Sequence, residues 1–253
     1  NNGATPSVLT VAPPVATSYT SNAFITDGSS TVSIVKNGAG TQILGYTNSY
    51  TGTTTVNDGT LLINGDQSGA TGAVQVNGGV LGGTGTIGGT VTVGALGTIA
   101  PGVTLGTLTV NSADLTAGGT LAIGLNDAGT PTADQLVVTN NLDVNGAKLN
   151  LCVTGTLSAT SYVIATAAAI NGTIATGDVT GLPSGYTLVQ TATELRLDQS
   201  PASDYDNWVT ANGVTGGPND DDDNDGLSNN DEYAFGLDPT GGSSVNPIAV
   251  QLD

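Results

Sequence analysis

An all-β fold, a parallel β-helix (β-solenoid) carrying a small helix–loop–helix module near its C-terminal end, is what this sequence predicts. The first observation is the run of short alternating segments, STVSIVKNG, TTTVNDG, TLLINGD, AVQVNGG, GTLTVNS and KLNLCV among them, each strand-length and closed by Gly, Asn-Gly or Asp-Gly, which tolerate the positive φ of tight turns. The second is composition. Of 253 residues 38 are glycine, methionine is absent and Lys plus Arg number 3, so helix formers are scarce while Thr, Val and Gly recur. The third is self-similarity: VNDGTLLING, VNGGVLGGTGTIGG and VTVGALGTIAPG repeat one turn and strand theme. A β-sandwich is the alternative for so many short strands, but a solenoid accounts better for the repetition, because each coil must present the same profile to the coils above and below.

Taken in order, residues 1–30 read as an extended segment in which SVLTV is followed by Pro13 and Pro14, a stretch able to pair with the body or with a neighbouring chain. Residues 31–198 form the repeat domain. SPAS at 200–203 marks a linker, placed at 199–203. Residues 204–240 form a helical module: DYDNWVTANG spaces Tyr205, Trp208 and Val209 at i, i+3 and i+4, with Asp204 at the start and Gly213 at the end, and SNNDEYAFG gives a second helix closing at Gly236. Residues 241–253, ending in PIAVQL, read as an extended tail.

The run NGAGTQILGYTNSYTGTTTVNDGTLLINGD, residues 37–66, resembles the autotransporter-associated β-strand repeat of bacterial surface proteins, whose pattern is GxGTL, an aromatic-containing turn, YTGxTTV and xxGTLxVNG. The segments VLGGTGTIGGTVTVGALGTIAPG and GTLTVNSADLTAGGTLAIGL are similar to those that come after the repeat in such proteins. The likeness covers about residues 35–198 and implies a solenoid scaffold on an exported protein, without implying an activity. The strict repeat occurs once, so a short rod is expected.

Eleven of the 21 acidic residues lie between 201 and 253, and they include the twelve-residue pattern Asp221-x-Asp223-x-Asp225-Gly226-Leu227-x-Asn229-x-x-Glu232. Calcium takes six to eight oxygens, and an EF-hand loop supplies them from positions 1, 3, 5, 7, 9 and 12 with Gly at 6 for the turn. Asp221, Asp223, Asp225 and Glu232 are the expected carboxylate ligands of Ca2+, Leu227 gives a carbonyl, and Asn229 a direct or water-mediated contact. Asp220 and Asp222 are expected to face solvent or add charge. The loop also resembles single calcium loops of dockerin-like and thrombospondin type 3-like modules. Ser228 stands where the EF-hand pattern has an aliphatic residue, and the sequence shows no second loop to pair with, so a structural clip is expected rather than a cooperative sensor. Without metal the five aspartates of 220–225 repel one another.

A net charge of −18 excludes nucleic acid and anionic lipid as partners, since phosphate contacts require Lys or Arg. No apolar run approaches the roughly 20 residues of a membrane helix, so no membrane insertion is expected. Histidine is absent, which removes the Ser-His-Asp and Cys-His arrangements and most zinc sites. Carboxylate catalysis on polysaccharide would have to use Asp114, Asp127, Asp134, Asp143 or Asp178, which sit at expected turns. The runs GGTGTIGG and NGAG lack the Lys-Ser/Thr and the helix of a phosphate loop. Cys152, the single cysteine, is expected to pack in the apolar run LNLCV. Because methionine is absent, Asn1 is expected to arise by cleavage of an export signal.

These readings lead to a secreted or surface-exposed, non-enzymatic structural protein: a solenoid subunit joined head to tail with other copies of itself into a filament or surface layer and stabilised by Ca2+. SVLTV or PIAVQL would donate the joining strand. The alternative is an adhesin or carbohydrate-binding module displaying Tyr46 and Tyr50 to a glycan, and a less favoured one is a polysaccharide-acting β-helix enzyme.

Overall fold

The structure, a computed structural model, describes residues 5–102, 105–127, 132–201 and 204–242. The chain divides into two compact units, Asn1–Gln199 and Ser200–Asp253. The first unit is a parallel β-solenoid. Its strands are β1 (Ser7–Val11) and β2 (Ser18–Ser21), β3 (Val32–Lys36) and β4 (Thr41–Leu44), then β5 (Thr54–Val56), β6 (Thr60–Ile63) and β7 (Asp66–Gln67). Two long strands, β8 (Val74–Gly83) and β9 (Thr86–Pro101), bend around the corners without a break. After them come β10 (Thr107–Asp114), β11 (Thr120–Leu125), β12 (Gln135–Asp143), β13 (Lys148–Val153), β14 (Ser161–Asn171) and β15 (Val179–Thr180). A hairpin of β16 (Tyr186–Gln190) and β17 (Glu194–Gln199) ends the unit.

Pairing sorts these strands into three ladders. The first runs through β1, β3, β5, β8, β9, β10, β12 and β14, all parallel. The second runs through β2, β4, β6, β8, β9, β11, β13 and β15, again parallel. The third passes from β7 through β9, β10, β12 and β14 and then turns antiparallel into β17 and β16. SVLTV therefore pairs with the body as a strand of the solenoid, the first among the described residues, and PIAVQL lies outside the described residues.

Strand alternation puts every second residue inside, and the register stacks those residues in columns. In the second ladder Leu61, Leu81, Ile99, Leu121 and Leu149 succeed one another in register, all fully buried. Each such side chain contributes roughly 1.5–3 kcal/mol by leaving water. Outside, Asn57 donates to the Asn37 side chain at 2.9 Å and Asn77 to Asn57 at 3.0 Å, one coil of 20 residues apart. Further along the chain the coil lengthens: Asn171 donates to Asp143 across 28 residues.

Close stacking dictates the glycines. A Cβ on Gly59, at φ +63°, would stand 2.4 Å from the Gly38 carbonyl of the coil above, a contact no other residue tolerates. In the same corner Lys36 is fully buried in line with Val56, Val76 and Val93. Its Nζ donates to the carbonyls of Gly38 at 2.6 Å, Asp58 at 2.8 Å and Asn37 at 3.3 Å. Burial pulls its pKa down, opposed by the Asp58 charge.

Cys152 departs from expectation. Leu149 and Leu151 take the inward positions of β13, so the pleat turns Cys152 outward and exposed.

Near the end of the solenoid Tyr162 is buried and its hydroxyl donates to the Asp127 carboxylate while accepting the Ser158 and Ala159 amides at 3.0 and 2.9 Å. Burial first, and the Asp127 hydrogen bond second, push its pKa up to about 12. The folded state thus holds the phenol proton that the unfolded chain releases near pH 10, so stability present below pH 10 is lost as the pH rises toward about 12. Circular dichroism against pH should show an alkaline transition in that window, and Tyr162→Phe should weaken its pH dependence while lowering neutral stability by about 1–3 kcal/mol.

Candidate metal centre

The second unit contains two helices, α1 (Asp204–Asn212) and α2 (Asn229–Phe235). An aromatic trio joins them: Tyr205 and Trp208 of α1 lie 5.2 and 5.6 Å from the ring of Tyr233 on α2, and 5.8 Å from each other. The edge-on contacts to Tyr233 suit the ring quadrupoles. α1 ends at Gly213 with φ +69°.

The loop between the helices folds on its own carboxylates. Asp221 accepts the amides of Asp225 at 3.2 Å and Gly226 at 2.9 Å. Asp223 accepts Asp225 N–H at 3.2 Å through one oxygen and Gly242 N–H at 2.6 Å through the other, and Asp225 accepts Leu227 N–H at 3.0 Å. Gly226 takes φ +97°, the turn that the sixth position of a calcium loop requires. The outcome is that one oxygen each of Asp221, Asp223 and Asp225 lies within 4.8 Å of the others.

Asp225 Oδ2 is buried without a hydrogen-bond partner. A desolvated, unpaired carboxylate oxygen in a three-carboxylate cluster is costly alone and well matched to a hard cation. Glu232, at the distal position, is fully buried on α2. The donor set of carboxylate and carbonyl oxygens, with no nitrogen or sulfur, fits calcium rather than zinc.

Two side chains of the loop have partners that spacing alone does not show. The Asn229 amide donates to Gly217 O at 2.9 Å and to Asp222 at 3.2 Å, so its side chain is committed away from the three aspartates. Asp222 does not point to solvent as a spare charge. Half-buried, it accepts Thr215 N–H at 2.6 Å and Gly216 N–H at 2.9 Å, and these bonds with the Asn229 amide hold its pKa down at about 2. Asp220 is exposed and accepts Gly217 N–H at 2.7 Å.

Ser228, the departure from the EF-hand pattern, has a local reason. It is the N-cap of α2, accepting Asp231 N–H at 3.2 Å in a capping box, and an aliphatic residue there would leave that amide unpaired. Gly236 in the left-handed conformation closes the helix.

In the solenoid, four of the five carboxylates considered for catalysis are committed to structure. Asp114 accepts Thr116, Asp127 accepts Ser158 and Tyr162, and Asp143 accepts Asn171. Asp134 is buried, bonded to the Gly106 and Gly124 amides at 2.8 Å each, with its pKa raised by burial. Asp178 lies in a short 3-10 turn with no cap bond from a side chain. Tyr46 is 54% exposed, whereas Tyr50 is buried with its hydroxyl 2.7 Å from Thr54 Oγ1, so only the former is available to a ligand.

Known proteins share part of this architecture. Residues 34–63, from Ile34 in β3 to Ile63 in β6, match the Passenger-associated-transport-repeat family. A stretch of 71 residues is 59% identical to the adhesin BmaC autotransporter of Brucella suis biovar 1 (strain 1330), covering 28% of this chain. The chain spans about 2% of the length of that relative. The solenoid thus carries an autotransporter-type repeat and is similar to part of an adhesin.

The capping box makes a specific demand on α2. Ser228→Ala should cost about 1 kcal/mol, read as a lower thermal midpoint of Trp208 emission, with the solenoid's own circular dichroism transition unmoved.

Proposed function

We propose that this chain is a non-enzymatic module of a bacterial protein exposed at the cell surface or secreted, an adhesin-type solenoid with a calcium-binding module C-terminal to it. The observation that carries the reading is the stretch of residues 34–63, which matches a passenger repeat and folds as stacked coils of the solenoid, β3 on β5 and β4 on β6. Likeness to an adhesin and the structural employment of the solenoid's aspartates support the same reading. On this scaffold Tyr46, 54% exposed, is an aromatic residue available to stack on a sugar ring. Tyr46→Ala should weaken binding to a glycan array at least severalfold without changing thermal stability; an unchanged array profile would remove Tyr46 from the contact.

In the second unit, Asp221, Asp223, Asp225 and Glu232 would hold Ca2+ with the Leu227 carbonyl, and water rather than the Asn229 amide would fill the ninth position. The ion supplies neutralising charge that the aspartates lack among themselves. Single-loop extracellular sites bind with dissociation constants of roughly 10⁻⁴–10⁻³ M. Trp208 is the only tryptophan and packs on Tyr233 of α2, so its emission reports the loop. Calcium at about a hundredfold above the dissociation constant should stabilise this module by about 2.7 kcal/mol. Asp225→Asn and Glu232→Gln should each abolish the effect. A Trp208 signal and melting curve indifferent to calcium and chelator would eliminate the metal.

A second reading, a filament of copies joined head to tail, is favoured by one observation. β1 and β2 each pair on one edge only among the described residues, with Leu9 and Tyr19 41% and 54% exposed. Such an edge accepts further strands. Electron microscopy of the purified protein with and without calcium tests it, and monodisperse particles in both would exclude it.

A further inference from the structure

The two ends of the solenoid differ in how they are closed, and the difference specifies a joint. This inference rests on the head-to-tail reading above. At the far end the hairpin of β16 and β17 seals two of the three ladders. β17 pairs antiparallel with β14 to finish the third, where the Thr193 carbonyl also accepts the Ala167 amide, and the Ala192 carbonyl accepts the Ile170 amide at the end of the first. The second ladder has no such closure among the described residues. It stops at β15, which pairs with β13 on one side only.

Beside that edge lies an apolar cleft of about 390 Å³, lined by Ile174, Val179, Leu182 and Leu188 with Thr187 and Gln190 at its polar margin. Leu182 is 42% exposed. The cleft is within the size range of binding pockets, and apolar surface beside an open strand edge is suited to a strand that brings its own inward side chain.

The opposite end supplies such a strand. β2 is the first member of the same second ladder, with its free edge facing away from β4. Tyr19 stands in register with the inward Gln42, so it takes an inward-facing position, yet it is 54% exposed. Val179 stands in register with the inward Leu149. Stacking β2 of one copy on β15 of another therefore continues the ladder in its own parallel sense and extends the column Leu121, Leu149, Val179 with Tyr19.

Charge does not oppose the same occupant. On a chain of net charge −18, Asp27 is the only charged residue from Thr5 to Thr31, and Asp178 the only one from Asn171 to Thr193. Asp27 is already bound to the Val32 amide and to Thr51. Like charge therefore presents little obstacle to an end-to-end contact.

We propose that the cleft formed by Ile174, Val179, Leu182 and Leu188 receives the first coil of a second copy of this chain, the second ladder passing from β15 of one subunit into β2 of the next. The contact is heterologous and does not close, so it propagates.

Complementation of two charge variants of the full chain tests it. Leu182→Asp disables the cleft and Tyr19→Asp the incoming coil, both at exposed positions where folding, checked by circular dichroism, is retained. Wild type should form particles that grow with concentration. Each variant alone should remain monomeric, and their equimolar mixture should stop at a species of about twofold the monomer mass, since only one competent joint then exists. If wild type assembles and Leu182→Asp assembles equally, this cleft is not the joint, while the filament reading survives with another surface. If wild type stays monomeric under every condition, both fall and the adhesin reading stands by itself. If assembly appears only after removal of residues 243–253, the chain's own tail occupies the cleft and the proposal is overturned.

Discussion

Parallel, in-register stacking of one coil on the next is the constraint on which the rest of the solenoid depends. Once the backbone of each coil must pair with the coils above and below, equivalent positions meet themselves along the axis, and each position is judged by whether it stacks on its own kind. Apolar residues answer by forming columns such as Leu61 to Leu149. Asparagine answers by bonding amide to amide, as Asn37, Asn57 and Asn77 do at one corner. Corners where the chain turns sharply onto its neighbour admit only glycine, because at Gly59 a side chain would enter the carbonyl above. Lys36 is the exception that shows the rule: a charge in an apolar column is retained because three turn carbonyls surround its ammonium.

Charge is divided between the units according to what each can support. Stacking identical positions at strand spacing would place like charges side by side, which a solenoid face cannot sustain repeatedly. The solenoid accordingly relies on Thr, Asn and Gly for its outer faces, and acids such as Asp66, Asp114 and Asp134 are tied singly to turn amides. In the second unit eleven acids are concentrated, and the loop handles them by turning carboxylates onto its own amides, as Asp221, Asp223 and Asp225 do. That leaves Asp225 Oδ2 without a partner, which is where a cation would complete the arrangement.

Much of this was legible in the sequence because period-two alternation and glycine-bearing turns are local signals. The helices at 204–212 and 229–235 and their closing glycines were readable for the same reason, as was the aspartate trio from its spacing, whereas the capping role of Ser228 was not. What escaped depends on which neighbour a residue meets. Cys152 lies in an apolar run, yet its face was fixed by the parity of Leu149 and Leu151. Tyr50 looks like an exposed turn residue, and only the coil's closure buries it against Thr54. Asp222 and Asn229 alternate with the cluster residues and read as surplus charge and ligand, but the return of the chain at Thr215 to Gly217 captures both. SVLTV carries no glycine signature of the repeat, so its place in the solenoid rests on long-range pairing with β3 that local pattern does not encode.

Termination shows most clearly how such a fold is bounded. A parallel ladder has no internal reason to stop, since every new coil offers the edge that the last one offered. Stopping requires a change of rule, and here it is the switch from parallel to antiparallel pairing at β14 and β17, possible because the Tyr186–Gln199 hairpin needs no crossover and turns back on itself. That switch closes the two ladders it touches, and the second ladder, beyond its reach, keeps its parallel edge. At the other end no hairpin intervenes among the described residues, and Leu9 and Tyr19 stand as inward residues of a core cut across. The described residues of the solenoid are therefore polar along its axis, and whatever covers the edges of β1 and β2 must offer the parallel edge and apolar column that another coil provides.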